Sequence, residues 1–101
     1  MRKEDFTITC LIVGKTGLYF TGNGWDELIH SACLYTSEAC ERRLEEIRRE
    51  EPEARMRCIL QNKDFNYFDG VSFVYDPLKA KFYTPSQASA ELDRLLSLPE
   101  I

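Results

Sequence analysis

The chain has 101 residues, of which 44% are hydrophobic and 30% charged, and its formal net charge is −4. This length and balance predict a single folded domain over residues 1–101 and exclude a disordered polypeptide. The negative charge argues against nonspecific binding to nucleic acid or to an anionic membrane, because both require a positively charged protein surface.

The sequence gives no sign of a targeting segment, a membrane span or a metal site. No apolar run approaches the ~20 residues that cross a bilayer, and Glu4 and Asp5 precede the only short apolar run near the start. We therefore expect a cytoplasmic protein. The four cysteines form no C-x-x-C pair and there is one histidine, so the sequence predicts neither a structural zinc site nor a cofactor.

The first half of the chain predicts two strands followed by a helix. The β-branched and apolar run 6–14 is typical of a buried strand, "GKTG" is a turn, and 18–22 is a returning strand. Thr36 or Ser37 can cap the helix predicted over "TSEACERRLEEIRREE". One apolar stripe on an otherwise charged helix predicts that a single narrow face is buried, and its members are Cys40, Leu44 and Ile47.

The second half predicts the same order of elements. Residues 54–61 form a strand, 65–76 an aromatic strand pair or a bulged strand, and "DPLK" a turn. A second helix begins after Thr84, because Pro85 suits its first position and Gln87 completes a capping box. The apolar stripe of this helix is again narrow, and consists of Ala88, Leu92, Leu95 and Leu96.

The two halves match in sequence at an offset of 48 residues. Aligning residues 8–47 with 56–95 gives nine identical pairs among forty, whereas chance gives roughly one match in sixteen. We infer two internal repeats, at about 6–51 and about 54–98. The fold class predicted is α+β: two tandem ββα, or βββα, repeats forming one antiparallel sheet with both helices on one face, related by a pseudo-two-fold axis.

The repeated segments "ACLYT" and "AKFYT" precede the two predicted helices and suggest how the chain leads into each of them. Alternation along an extended segment predicts that Leu34 and Phe82 are buried, and that the tyrosine after each points to the opposite face. The threonine that follows then caps the helix.

Catalytic motifs are weak. "GKT" at 14–16 lacks both the earlier glycine and the following helix of a phosphate loop. His30 could pair with Cys33 or Cys40 as a catalytic Cys–His pair, but a surface histidine and a partly exposed thiol explain these residues better. The sequence therefore predicts a protein that is not an enzyme, with catalysis kept as the alternative.

The aromatic segment "DFNYFDGVSFVYD" is the candidate binding site. Aromatic residues with a polar tip are enriched in protein interfaces, and aspartates border this group. The alternative is that these rings belong to the core and to cross-strand pairs. The residues predicted to form a partner-binding surface are Phe65, Tyr67, Asp69, Tyr75 and Asp76.

The first repeat resembles small proteins of phages and mobile elements that carry a strand–strand–helix unit. The matching residues are Tyr19, Trp25, Ala32, Tyr35, Thr36, Glu38 and Ala39. The second repeat departs from the pattern, since Phe73 stands for Trp25 and Gln87 for Ala39. The resemblance implies a protein that binds and blocks a host machine, such as a CRISPR effector.

Three hypotheses follow for function. The first is a non-enzymatic interaction module that binds a host or cognate protein, as an inhibitor of an anti-defence type. The second is a small-ligand or catalytic domain with a cleft between the repeats. The third is a structural subunit that acts by self-association, for which a homodimer is the simplest form.

Overall fold

The computed structural model describes residues 5–98, and these form an α+β fold with six strands, paired antiparallel within each unit, and two α-helices. The predicted α+β class and antiparallel sheet are confirmed. The described chain divides into two compact units. The first unit is Thr9–Arg57, and the second contains residues 5–8 and 58–98.

The first unit contains a three-stranded ladder in the order β3-β2-β1. Strand β1 (Phe6–Val13) contributes its residues from position 9 onward, and β2 (Tyr19–Phe20) and β3 (Trp25–Asp26) follow. Val13 pairs with Tyr19 across the β1–β2 hairpin. Strand β2 is shorter than the returning strand predicted over 18–22, because a glycine-rich turn begins directly after Phe20.

Trp25 lies over the first hairpin and is partly exposed. Its ring packs edge-on against Phe20, with the centroids 5.4 Å apart. The ring also lies close to Gly14, where an added Cβ would be 3.0 Å from Trp25 Cζ3 and would require the ring to shift. The "GKTG" segment is the predicted hairpin turn, in which the Gly17 N–H donates to the Gly14 carbonyl at 3.1 Å.

Helix α1 (Ser37–Ile47) begins where the sequence predicts, but ends earlier. The Thr36 side chain accepts a hydrogen bond from the third residue of the helix, which confirms the predicted cap. Cys40 and Leu44 are buried, as the apolar stripe predicts. After Ile47 no apolar side chain follows that could bury the helix further, and the charged residues 48–51 form a turn instead.

The second unit repeats this arrangement in the order β4-β5-β6. Its strands are β4 (Arg55–Asn62), β5 (Tyr67–Phe68) and β6 (Phe73–Val74). The predicted aromatic strand pair over 65–76 is thus confirmed as a short hairpin. The ring of Phe6 belongs to this unit and stacks on Phe73, with the centroids 5.6 Å apart.

Helix α2 (Pro85–Leu96) follows the predicted capping chemistry. The Thr84 hydroxyl accepts from the Gln87 N–H at 3.3 Å, and Gln87 Oε1 accepts from the Thr84 N–H at 3.1 Å. This reciprocal pair is the capping box expected from the sequence. The buried residues of α2 are Ala88, Leu92 and Leu95.

The core of each unit is centred on its long strand. Consecutive residues of β1 and β4 are buried, as expected for strands covered on both faces. The largest fully buried side chains of the first unit are Cys10, Leu11, Ile12 and Cys40, and those of the second are Cys58, Ile59, Leu60 and Phe68.

Most elements of the two units begin 48 residues apart, the offset seen in the sequence, whereas the long strands β1 and β4 begin 49 residues apart, at 6 and 55. Strands β2 and β5 begin at residues 19 and 67, β3 and β6 at 25 and 73, and the helices at 37 and 85, so each pair differs by 48. An isolated bridge ties each helix entry to its long strand, Cys10 to Tyr35 and Cys58 to Tyr83.

The helix entries do not follow the alternation that the sequence suggested. Leu34 was expected to be buried but is exposed, and Phe82 is only half-buried. Tyr83 is instead the buried residue of its segment. The prediction was wrong because these segments make one isolated bridge each rather than a continuous ladder, so the period of a strand does not fix their side-chain directions.

Candidate functional site

The connections around the β5–β6 hairpin carry the most exposed apolar side chains of the described chain. Phe65 is 74% exposed in the turn before β5, and Val71 is 90% exposed in the hairpin turn. Tyr75 and Leu78 follow β6 and are 86% and 70% exposed. We call these four residues the apolar loop surface. Two of them, Phe65 and Tyr75, were predicted from the sequence.

The first unit has no such surface at the corresponding positions. The residues 48 positions earlier are Gly17, Asn23, Glu27 and His30. Since the loops match in conformation, with Gly22 and Gly70 at φ 100° and 107°, the difference lies in side-chain chemistry. The first unit therefore folds without apolar side chains at these four positions, and the apolar loop surface is specific to the second unit.

Phe65 occupies a backbone conformation that is costly for an aromatic residue. Its φ is +62°, whereas Gly17 holds the matching left-handed position at +84°. The turn around Phe65 is fixed on both sides: its N–H donates to the Asn62 carbonyl at 3.0 Å, and its carbonyl accepts from Gln61 Nε2 at 3.2 Å. Residues other than glycine in this region cost roughly 1–2 kcal/mol, and such costs concentrate at functional positions.

The predicted acidic residues hold the loops in place. Asp69 Oδ1 accepts from the N–H groups of Val71 and Ser72 at 2.8 and 2.9 Å. These backbone donors lower the pKa of Asp69 below its ordinary value. Asp76 Oδ1 accepts from the Leu78 N–H at 3.0 Å. The two carboxylates thus fix the turns on which Val71 and Leu78 are presented.

Tyr67, the remaining predicted site residue, is half-buried in β5 and pairs with Gln61 and Val74. Val71 and Leu78 were missed by the sequence reasoning. The signal that could have found them is the offset of 48, at which an apolar residue in the second unit replaces Asn23 and His30.

The four cysteines form no disulfide with one another and lie mainly in the core. Cys10, Cys40 and Cys58 are buried and Cys33 is half-buried. Burial raises the pKa of Cys40 to about 12, so this thiol stays protonated at neutral pH and is a poor nucleophile. In residues 5–98 no group of three or more histidine, cysteine or acidic side chains could hold a metal ion.

A cavity of about 460 Å³ lies beside α2 in the second unit. Its lining includes Lys81, Tyr83 and Gln87, together with Glu91 and Arg94. Glu91 and Arg94 form an ion pair, in which Arg94 Nε donates to Glu91 Oε1 at 2.8 Å. The Lys81 ammonium lies 5.4 Å from the centroid of the Tyr83 ring, within reach of a cation–π interaction.

The Tyr83 hydroxyl is the notable polar group of this cavity. Tyr83 is only 5% exposed. Of the side-chain nitrogen and oxygen atoms that the structure describes as buried, its hydroxyl alone has no hydrogen-bond partner. Burial raises the pKa of Tyr83, and the nearby Glu91 adds to the effect, so the hydroxyl is a protonated donor at neutral pH.

The matching tyrosine of the first unit is satisfied. Burial raises the pKa of Tyr35 to about 12, and its hydroxyl interacts with Cys33 and with the guanidinium of Arg43. At the positions of Cys33 and Arg43 the second unit has Lys81 and Glu91. Because Lys81 and Glu91 replace Cys33 and Arg43, the Tyr83 hydroxyl lacks the partners that the Tyr35 hydroxyl has.

A second cavity, of about 400 Å³, lies beside α1. Its aromatic wall is already covered, because the Arg43 guanidinium carbon lies 5.2 Å from the Phe20 ring centroid and Arg43 Nη2 donates to the Gly22 carbonyl at 3.4 Å. The protein's own cation therefore occupies the part of this cavity that a ligand would contact best.

Comparison of the sequence and fold with known protein families, curated proteins and solved structures finds no match. Among the described residues no helix is both long and apolar enough to span a bilayer.

Proposed function

We propose that this protein is a non-enzymatic interaction module that binds one partner protein through the apolar loop surface. The observation that carries the proposal is the exposure of four large apolar side chains at positions where the first unit has none. Large exposed apolar groups on loops held by a rigid scaffold are typical of binding sites. Tyrosine and phenylalanine also supply much of the energy at such sites.

The conformation of Phe65 supports the same proposal. An exposed aromatic residue in the left-handed region gains little from burial and costs backbone free energy. The matching residue of the first unit is Gly17, so this turn forms without an aromatic side chain. A contact made by the ring with a partner would account for its presence.

The charge of the chain indicates the kind of partner. The net charge is −4, and Asp64, Asp69 and Asp76 lie in the same loops as the apolar residues. We expect a partner that offers an apolar contact surface bordered by basic residues, because complementary charges steer encounter and suppress wrong partners. Tyr67, Asp69 and Asp76 then act mainly by shaping the loops.

Duplication of a strand–strand–helix unit would account for the resemblance between the two units. It is supported by the nine identities and by the offset of 48 residues between the short strands and between the helices of the two units. The pseudo-two-fold arrangement expected from the sequence belongs to this proposal. In this account the first unit keeps the ancestral surface, and the second has diverged to bind.

Inhibition of a host protein is the role within this class that the resemblance to phage and mobile-element proteins suggests. Nothing in the geometry of the loops requires it, so the role is decided by the identity of the partner. A partner belonging to a defence system would support inhibition, whereas a partner encoded with this protein would support an assembly role.

The test exchanges the apolar loop surface for the residues of the first unit. The exchange variant carries Phe65→Gly, Val71→Asn, Tyr75→Glu and Leu78→His. Each new residue already serves at the matching position of this chain, so the loops should keep their conformation. The control variant carries Leu28→Ser and Leu34→Ser, which remove exposed apolar side chains from the first unit.

Each protein is used to capture partners from a lysate of the source cells, and captured proteins are identified by mass spectrometry. The proposal expects one stoichiometric partner that the control variant retains and the exchange variant loses. Retention of every captured protein by the exchange variant would refute it. Sedimentation of the purified chain at several concentrations tests the self-association hypothesis, which requires a dimer, whereas a monomer at every concentration would count against it.

A further inference from the structure

We propose that the cavity beside α1 binds a small aliphatic diamine, whose ammonium groups contact the Trp25 ring and the carboxylates of Glu50 and Glu51. The cavity has a volume of about 400 Å³, which lies within the range of small-molecule sites. It is formed wholly by residues of the first unit. The proposal is therefore independent of the function proposed for the apolar loop surface.

The Trp25 ring is the accessible aromatic wall of this cavity. The Arg43 guanidinium covers the other aromatic wall, Phe20, whereas Trp25 is 36% exposed. A cation over the face of an aromatic ring is attracted to it, and tryptophan is the best of the aromatic residues for this interaction. The cavity already holds one cation on Phe20, and the Trp25 ring offers a place for a second.

Two carboxylates of the lining have no partner. Glu46 pairs with Arg43. The side chains of Glu50 and Glu51, by contrast, make no hydrogen bond or ion pair within the part of the chain that the structure describes. Glu50 is exposed and Glu51 is half-buried, so a ligand in the cavity can reach both carboxylates.

The position of these carboxylates is unfavourable for helix α1. The C-terminal end of a helix carries a partial negative charge, which favours basic side chains there over acidic ones. The last turn of α1 has no basic residue, and Glu50 and Glu51 follow that turn directly. Arg48 and Arg49 also follow the helix, but they lie outside the lining of the cavity. A cation bound in the cavity would offset this negative charge.

The second unit lacks this arrangement. The residues that correspond to the ring and to the two unpaired carboxylates are Phe73, Leu98 and Pro99. The second unit nevertheless has the same hairpin and helix. The unit therefore folds without the tryptophan and the two acids, and the acidic aromatic cavity is specific to the first unit.

The charges of the lining select the class of ligand. The lining carries one guanidinium and three carboxylates, those of Arg43, Glu46, Glu50 and Glu51. The excess of two negative charges is balanced by a dication. Within residues 5–98 no three acidic side chains are placed so that they could hold a metal ion, which favours an extended organic dication. Trp25 and Ile47 supply apolar walls for its methylene chain.

The test uses the fluorescence of Trp25, the only tryptophan of the chain. The full chain is titrated with diaminobutane, butylamine or magnesium chloride at neutral pH and constant ionic strength, and amide chemical shifts of the isotopically labelled chain are followed in parallel. We expect a saturable response to diaminobutane at Trp25, Glu50 and Glu51, weaker binding of butylamine and none of magnesium. No saturable response to diaminobutane in either measurement would overturn the site.

Paired variants test the role of the carboxylates. The combined change Glu50→Gln and Glu51→Gln should weaken diaminobutane binding about tenfold or more, because it removes two charged acceptors from the site. The matched control, Glu41→Gln with Glu45→Gln, removes the same charge from exposed positions of α1 outside the lining and should bind like the parent. Equal weakening by both pairs would contradict the proposal, because binding would then depend only on net charge.

A change of the ring tests the aromatic contact. Trp25→Phe introduces the residue that the second unit has at the matching position, and amide shifts should show severalfold weaker binding, because phenylalanine attracts a cation less than tryptophan does. Unchanged affinity would exclude the proposed contact with the ring.

The other two probes test the class of ligand. Butylamine carries one ammonium group, as a lysine side chain does, and binding as tight as that of diaminobutane would rule out the assignment to a diamine. Magnesium binding of equal strength would rule out an organic cation. All of these titrations use the isolated chain, so their failure is distinguishable from failure of the interaction proposal.

Discussion

Replacing Tyr83 with phenylalanine should stabilise the ligand-free protein, although the change removes a hydroxyl from its interior. The hydroxyl is buried and has no partner, and such a group costs about 1–3 kcal/mol relative to an apolar one. The ring remains, so no cavity forms in its place. Taking about 1 kcal/mol, the melting temperature of a domain of this size should rise by about 4–8 °C.

Tyr35→Phe is the matched change and should act in the opposite direction. The Tyr35 hydroxyl interacts with Arg43 and Cys33, and loss of a hydrogen bond to a charged group costs about 1 kcal/mol or more. Both variants and the parent chain are compared by thermal unfolding, followed by circular dichroism, in a buffer without carboxylates.

The reasoning is refuted if Tyr83→Phe lowers the melting temperature as much as Tyr35→Phe does. That result would mean that the Tyr83 hydroxyl has a partner in solution.

Three further changes test how the loops and helix α2 are held. Phe65→Gly should leave the free energy of unfolding, measured by chemical denaturation, unchanged or raise it. Gly17→Phe should lower it by about 1–2 kcal/mol. A large loss of stability for Phe65→Gly would show that the Phe65 ring is structural. Thr84→Ala should cost about 1 kcal/mol by the same assay, because the α2 cap is lost; no loss would mean that the capping box contributes nothing. The pKa of Asp69 is lowered in the folded state from its ordinary value of 3.8. The contribution of Asp69 to the free energy of unfolding is therefore fully present above pH 3.8 and is lost as the pH falls through the lower folded pKa. Asp69→Asn should therefore unfold with a shallower dependence on pH in that acidic range, and an unchanged dependence would contradict the turn assignment.

The helices and long strands could be predicted from the sequence because local chemistry determines them. Thr84 and Gln87 form the capping box that their spacing requires, and the apolar run of β1 is buried as expected. The predicted α1 extended too far because it included the charged residues after Ile47, and the predicted returning strand extended past Phe20 into a glycine-rich turn. Alternation failed at Leu34, because that segment makes only an isolated bridge.

The candidate site was predictable only in part. Composition drew attention to Phe65 and Tyr75, and both proved to be strongly exposed. Whether an apolar residue such as Val71 is exposed depends on the turn that carries it, so its own identity gave no signal. The cavity beside α2 could not be predicted either, because Tyr35 and Tyr83 have the same local motif and differ only in residues that folding brings near them.

The most direct test of the proposed function is calorimetric titration of the captured partner, once purified, with the parent chain and with the exchange variant. Truncation of a hot-spot residue costs about 2 kcal/mol or more, and about 1.4 kcal/mol corresponds to a tenfold change in affinity. Loss of all four side chains of the apolar loop surface should therefore weaken binding by about a hundredfold or more, while the Leu28→Ser, Leu34→Ser control binds like the parent. Equal affinity of the parent and the exchange variant would contradict the account, because the partner would then bind elsewhere on the chain.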